Sequence, residues 1–463
     1  MPEHRGKSVP ANALGTRLRG ERQERGMTRA AMGRPEFPAA FVAAVETGHL
    51  MPSLAVLTVL AGHLGLDPAA LEPLRGPQPA QPDLAALELD AAYQLDLAKA
   101  HHFNQDNEAA CTLLTTLAVE LAAWLPRLSV GTRYRLARLQ GFAYMRQGEP
   151  EPARAPLEDA LRLAHDLGDP QELARANNAL GVLYYELELP ARAEEFHSRA
   201  LAGVADGTVR DLNLKLTIFT NLAADYWALN AAQAAIALYR EALHWLDDVI
   251  NPERRAALYW GLAVSYRLAR ELELAKLYAD KALRYYREHG PADFAAQMAM
   301  NLAEILTERG EFVAADALLQ EVAATAASSG NPTIRSGWHE YAAGAALRAG
   351  HLEQAAALAG RSVEVSQKAL TGPDRGPRAV PANAIRSAAR ALAVAGEVAA
   401  RQGLRAQAER QFTRALDLVH RTEYWETAQQ IRIRYARALA GWGDYVRATA
   451  EYGRLPRPAR LLF

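Results

Sequence analysis

The strongest constraint in this sequence is a repeat with a period of about forty residues. Gly141, Tyr144, Ala153, Ala160 and Leu161 return at the same offsets as Gly181, Tyr184, Ala193, Ala200 and Leu201. The pattern continues in Leu222-Ala223, Tyr226, Ala235, Tyr239, Ala242 and Leu243, and again in Leu262-Ala263, Tyr266, Ala275, Ala282 and Leu283. Sparser copies carry Leu302-Ala303 with Gly310 and Ala315, Gly350 with Ala355, Gly403 with Ala408, Phe412 and Ala415, and Gly443 with Ala448 and Tyr452. With a weaker first copy at Leu97-Ala98, Ala110 and Leu114, there are about nine. A unit this short cannot bury its own apolar face, so it is stable only when stacked on its neighbours.

Half of the 463 residues are hydrophobic and 7% aromatic, with alanine and leucine abundant, which favours helix nearly throughout. The repeat offsets resemble the tetratricopeptide pattern, in which small residues stand where two antiparallel helices approach and large ones fill the gap. The resemblance covers Leu84 to Leu455, with a period longer than the standard one. It implies an all-α fold in which this part of the chain is a right-handed tetratricopeptide superhelix. The stretch Thr371-Gly372-Pro373-Asp374-Arg375-Gly376-Pro377 lengthens one spacing and reads as an exposed loop.

The first seventy residues have a different organisation. Leu14 and Leu18 open a first helix that ends at Gly26, and Thr28 caps a second with Arg29, Ala30, Ala31 and Met32. A third is expected from about Pro38 to Val45, a fourth from Ser53 to Leu64 before Gly65, and a fifth at Pro68 to Leu71. Glu46-x-Gly48, Pro52-Ser53-Leu54 and Leu60-Ala61-x-x-Leu64-Gly65 resemble the Cro and phage-repressor helix-turn-helix family, often called XRE. That resemblance implies a third helix in the major groove and a second across the backbone. It assigns base reading to Pro38, Ala39, Ala40, Phe41 and Ala44, none of which can make the bidentate hydrogen bonds that distinguish bases. Ala39, Ala40 and Phe41 are left to touch thymine methyls, and Arg29, Arg34 and His49 to contact phosphates. The segment from Thr28 to Glu46 is also one residue shorter than the family pattern.

These signals divide the chain into a flexible tail (1–12), a helix-turn-helix domain (13–72), a Pro-rich linker (73–83) and a repeat domain (84–463). Four prolines and a glycine between Pro73 and Pro82 cannot join a helix, so head and repeats are expected to move relative to each other. A net charge of −1 argues against a chain that coats nucleic acid along its length. The single cysteine, Cys111, excludes a disulfide framework and fits a reducing, cytoplasmic setting. The longest apolar stretch, Leu54 to Leu66, is too short to span a bilayer, so no membrane partner is expected.

Stacked helix pairs curve, and the first helix of each pair lines the concave side. By the tetratricopeptide resemblance, the inward positions are Arg135, Arg138, Arg175, Asn178, Tyr185, Asn221, Trp227, Trp260, Arg267, Gln297, Asn301, Glu304, Tyr341 and Arg348. Asparagine is a poor helix former, and its carboxamide offers both a donor and an acceptor to a peptide backbone. Asn178, Asn221 and Asn301 therefore read as a ladder for an extended peptide, with the aromatic residues as apolar pockets and the arginines as carboxylate partners.

No phosphate loop or nucleophile elbow is present, and His339-Glu340 lacks the second histidine of a zinc-protease motif because Ala343 stands there. His101-His102 points to two sides of a helix, and Cys111 lies with Leu114 and Leu117 on an apolar face. No cofactor and no catalysis are expected. A phage-repressor-type head on tetratricopeptide repeats resembles the RNPP peptide-responsive regulators, which implies a homodimer that binds DNA and senses a peptide or protein ligand. The other reading is a scaffold or adaptor whose head no longer reads DNA.

Overall fold

The computed structural model describes residues 12–103, 106–187, 189–229, 231–245, 252–371, 382–420 and 425–455; the expected tail up to residue 11 and the loop at 372–381 lie outside them. Among the described residues there are helices and turns and no strand. The chain resolves into two compact units that divide between Glu172 and Leu173.

The first unit begins with five short helices, α1 (Ala13–Glu24), α2 (Arg29–Gly33), α3 (Ala39–Thr47), α4 (Leu54–Leu64) and α5 (Pro68–Leu71). Their ends are set by local chemistry. Thr28, Ser53 and Asp67 each accept a backbone N–H of the helix they precede, supplying a partner to an otherwise orphaned donor. Gly48 closes α3 at a φ of 76°, where a side chain would be strained. Two helix pairs follow, α6 (Leu84–Phe103) with α7 (Asn107–Leu121) and α8 (Val130–Arg146) with α9 (Pro150–Leu167).

The Pro-rich run does not behave as the free tether expected of it. Arg75 Nε donates to the Pro52 carbonyl at 3.0 Å, Gln78 exchanges two hydrogen bonds with the Met51 backbone, and the Asp83 N–H donates to the His49 carbonyl at 2.8 Å. Beneath it one apolar core runs from Leu14, Phe41, Leu57 and Leu71 into Leu87, Leu95, Leu114 and Leu136. The buried Asp90 of α6 accepts the Ser53 N–H at 2.9 Å, so a carboxylate of the first repeat holds the residue that caps α4. Composition marks this run as non-helical; tertiary hydrogen bonds attach it to the head beside a shared core.

The second unit contains α10 (Pro170–Glu186) with α11 (Pro190–Ala205), α12 (Leu212–Ala228) with α13 (Ala232–Trp245), and α14 (Pro252–Leu268) with α15 (Leu272–His289). It continues with α16 (Ala292–Glu308) and α17 (Phe312–Ser328), α18 (Pro332–Ala349) and α19 (Leu352–Thr371), α20 (Ala382–Arg401) and α21 (Arg405–His420), and α22 (Trp425–Gly441) and α23 (Tyr445–Gly453). The small-against-large rule of the sequence is met by close approach. A methyl group on Gly181 would overlap the His197 ring sixteen residues on, and one on Gly396 would come within 3.1 Å of Phe412, at the same offset. Within this unit the first helices of successive pairs also touch, α16 on α18, α18 on α20 and α20 on α22. Side chains at the inward offsets are thereby brought together across repeats.

Candidate ligand groove and helical head

In the head, the Glu46 of the Glu-x-Gly motif works as a clamp. Its fully buried carboxylate accepts Arg22 of α1 at 2.5 and 3.2 Å and Arg29 of α2 at 2.8 Å, tying both helices to the end of α3. Burial pushes this carboxyl up, but the two guanidiniums outweigh it and hold the group below its ordinary value. Arg29, expected on a phosphate, is thus engaged at Nε.

Phe41 corrects the expectation placed on it. It is 1% exposed and stacks on Phe37 at 4.5 Å, and Phe37 in turn meets Tyr93 of α6 at 5.3 Å. A ring at this depth cannot touch a thymine methyl; it belongs to the joint between head and repeats. Ala44 is buried as well, whereas Pro38, Ala39, Ala40 and Thr47 are exposed on the outer face of α3, with Arg34 and His49 exposed beside it. The outward face of α3 therefore offers methyl groups and one hydroxyl.

On the first unit's repeats, Arg135 pairs with Asp96 at 2.5 Å, and Arg138 lies over the Tyr134 and Phe142 rings, each 5.7 Å away. The remaining inward residues belong to the second unit and fall into two groups.

The first group surrounds a cavity of about 370 Å³ between α10, α12, α13 and α14. Tyr185, Trp227 and Trp260 line it, joined by Tyr239, which the sequence marked only as a repeat residue, and by Thr220 and Arg254, which the sequence reading passed over. Trp260 is 37% exposed, so the cavity opens to solvent through an aromatic wall. Asn221 Nδ2 donates to Asn178 Oδ1 at 3.0 Å, so two rungs of the expected ladder are bonded to each other on the same two helices, α10 and α12. One turn on from Asn221, Asp225 binds His197 Nδ1 at 2.5 Å, both within 1% exposure, and burial pushes the Asp225 carboxyl up to about 6 against the pull of the histidine. Arg175 is held by Asp211 at 2.6 Å.

The second group is a charged network along α14 to α22. Arg267 meets Glu304 at 3.2 Å and Glu308 at 3.1 Å, Tyr341 donates to Asn301 Oδ1 at 3.0 Å, and Gln297 reaches the same oxygen at 3.3 Å. Arg390 binds Glu340 at 2.9 Å and lies over the Tyr341 ring, while Arg434 pairs with Glu397 at 3.3 Å. Arg348 is exposed on α18. Burial pushes both Glu304 and Glu340 up. Around Glu304 the guanidiniums of Arg267, Arg390, Arg434 and Arg348 reverse the direction, whereas Glu340 also faces Glu304 and stays raised. The sequence held a signal for the missed arginine: Arg390 stands thirteen residues before Gly403, as Arg135 stands thirteen before Gly148. The lengthened spacing ahead of α20 hid that register.

No protein-family model and no curated protein sequence matches this chain. Solved structures do. A Rap protein complexed with competence and sporulation factor superposes with a TM-score of 0.58 at 13% identity, over 79% of this chain and 96% of that one. The apo form of RapI gives 0.54 at 13% identity, covering 78% and 95%, and aspartyl phosphate phosphatase F from Bacillus subtilis gives 0.50 at 13%, covering 80% and 94%. At such identities the likeness establishes a shared fold, an all-α stack of tetratricopeptide-like helix pairs. No single described helix is long and apolar enough to cross a membrane.

Proposed function

We propose that this protein is a ligand-responsive regulator, whose repeats hold a peptide or protein on the inner faces of their first helices and whose head carries the output to DNA as a homodimer. The observation that supports the ligand half is the meeting of Tyr185, Trp227 and Trp260 around one solvent-reached cavity, beside the bonded pair Asn178 and Asn221. Concave aromatic-lined sites with a few placed polar groups are where ligands of this size bind. The Rap structure with competence and sporulation factor shares the fold, which supports the same use of the repeats.

The DNA half rests on the motif resemblance and on the exposed face of α3. One observation favours the adaptor reading instead: that face carries alanines and Thr47, with no side chain able to make a bidentate base contact. Genome-wide footprinting of the tagged protein separates the two, with the Ala39→Glu, Ala40→Glu double variant as control. Both positions are exposed, so the substitutions leave the core intact and place carboxylates against phosphates. Discrete sites sharing a palindrome and lost in the variant support a regulator. A folded, expressed protein with no such sites, in the presence of its ligand, supports the adaptor.

A further inference from the structure

The aromatic cavity of the second unit has on its wall a hydroxyl with no hydrogen-bond partner among the described residues. Tyr239 stands at the middle of α13 and Gly261 at the middle of α14, and both line the cavity. A methyl group on Gly261 would lie 2.4 Å from Tyr239 Cζ, so the hydroxyl-bearing end of the ring rests on the glycine backbone, where any other residue would push it away. Tyr239 is 8% exposed, and its surroundings act on it through burial and through the charges of Tyr185 and Asp225, not through a hydrogen bond. Burial pushes the phenol up, so it keeps its proton and remains a donor. A tyrosine hydroxyl this deep ordinarily finds a partner. The other hydroxyl on the wall, that of Thr220, already donates to the Leu216 carbonyl of its own helix at 2.8 Å.

We infer that the Tyr239 hydroxyl is the recognition group of this cavity, and that the ligand feature it selects is a tyrosine side chain of the bound peptide or protein. The indole walls of Trp227 and Trp260 and the side chains of Leu216 and Val264 suit a ring, and the unmade hydrogen bond requires an acceptor on that ring. Among aromatic side chains tyrosine alone carries an oxygen that accepts; phenylalanine has no polar atom and the tryptophan indole only donates. The assignment rests on the groove reading above and sharpens it. A free phenol has the same chemistry, but a peptide gains further contacts along α10 and α12, where Asn178 and Asn221 lie.

The test is a double-mutant cycle on the full chain. Two capped pentapeptides, four glycines around a central tyrosine or a central phenylalanine, are titrated by calorimetry into wild type and Tyr239→Phe. The variant is expected to bind the tyrosine peptide roughly fivefold more weakly and the phenylalanine peptide within about twofold of wild type. Because the hydroxyl has no partner to lose in the free protein, Tyr239→Phe should melt no lower than wild type. Gly261→Ala, which displaces the ring, should weaken both peptides; unchanged binding to that folded variant places the peptides elsewhere and overturns the assignment. N-acetyl-tyrosinamide separates the sources: peptide affinity about tenfold above it supports a peptide site, and equal affinity overturns the peptide source in favour of a free phenol. Equal weakening of both peptides by Tyr239→Phe, or a lower melting temperature for that variant, overturns the role of the hydroxyl and leaves the groove reading standing. Failure of both peptides to bind folded wild-type protein removes both.

Discussion

Replacing Asp90 with asparagine should stabilise this protein at neutral pH, although the substitution removes a charge-assisted hydrogen bond. Asp90 is 3% exposed at the joint between head and first repeat, where it accepts the Ser53 N–H at 2.9 Å and Gln94 Nε2 at 2.7 Å. Burial pushes its carboxyl up to about 6 from 3.8, with the hydrogen bonds from Ser53 and Gln94 recovering only part of the lost hydration. A raised acid pKa means the folded chain holds the proton more tightly than the unfolded one. Below pH 3.8 both states are protonated and nothing is lost; as pH rises to 6 the penalty accumulates, and above 6 it is complete. Two pH units correspond to about 3 kcal/mol. An amide cannot ionise, retains an oxygen for the Ser53 N–H, and is met by a Gln94 carboxamide that can turn its own oxygen inward.

The expected result is an upward shift of roughly 6–12 °C in the melting temperature of this unit at pH 7.5, given about 2–4 °C per kcal/mol for a unit of this size. The shift should shrink towards zero as the pH is lowered to 4. Scanning calorimetry of both proteins across that range measures it. Asp90→Ala is the control: at pH 4, where the wild-type carboxyl carries almost no ionisation penalty, it leaves the buried Ser53 N–H without its acceptor and should destabilise by about 1–3 kcal/mol. A variant with asparagine that melts lower than wild type at pH 7.5, or a shift that does not change with pH, would refute the reasoning.

Three further perturbations follow from the packing. Gly181→Ala drives a methyl group into His197 and should cost about 1–3 kcal/mol, whereas Gly360→Ala, in open space on α19, should gain up to about 1 kcal/mol from helix propensity; thermal melts of the two give opposite signs. Glu46→Gln strips the clamp from Arg22 and Arg29 and should cost about 3 kcal/mol at pH 7 by urea unfolding; because the wild-type carboxyl is held below its ordinary value, the difference should fade on acidification through that range. Arg390→Met leaves Glu340 buried without its partner and should destabilise by about 3 kcal/mol, and adding Glu340→Gln should restore part of that loss in a double-mutant cycle.

Much of this protein was legible from local spacing, for a physical reason. Helix pairs repeat because each needs a small residue where its helices cross and a large one sixteen positions on. Gly181 and Phe412 are therefore legible as repeat positions, whereas their partners His197 and Gly396 came only from the coordinates. The caps at Thr28 and Ser53 and the stop at Gly65 are equally local, since each satisfies backbone groups within its own turn. The inward offsets also selected Tyr185, Trp227 and Trp260, which the structure brings around one cavity. What the offsets could not carry was the identity of each side chain's partner. Phe41 sits at a reading position by register and is withdrawn into a core because Phe37 and Tyr93, from a turn and a distant helix, close over it. The linker reads as a tether by composition, yet His49, Met51 and Pro52 hydrogen-bond to it in the fold. Charge behaves likewise: burial pushes both Glu304 and Glu340 up, yet only around Glu304 do the neighbouring arginines outweigh it and bring the group down. Periodicity is written along the chain, whereas partners and fields are sums over residues that only the tertiary structure brings together.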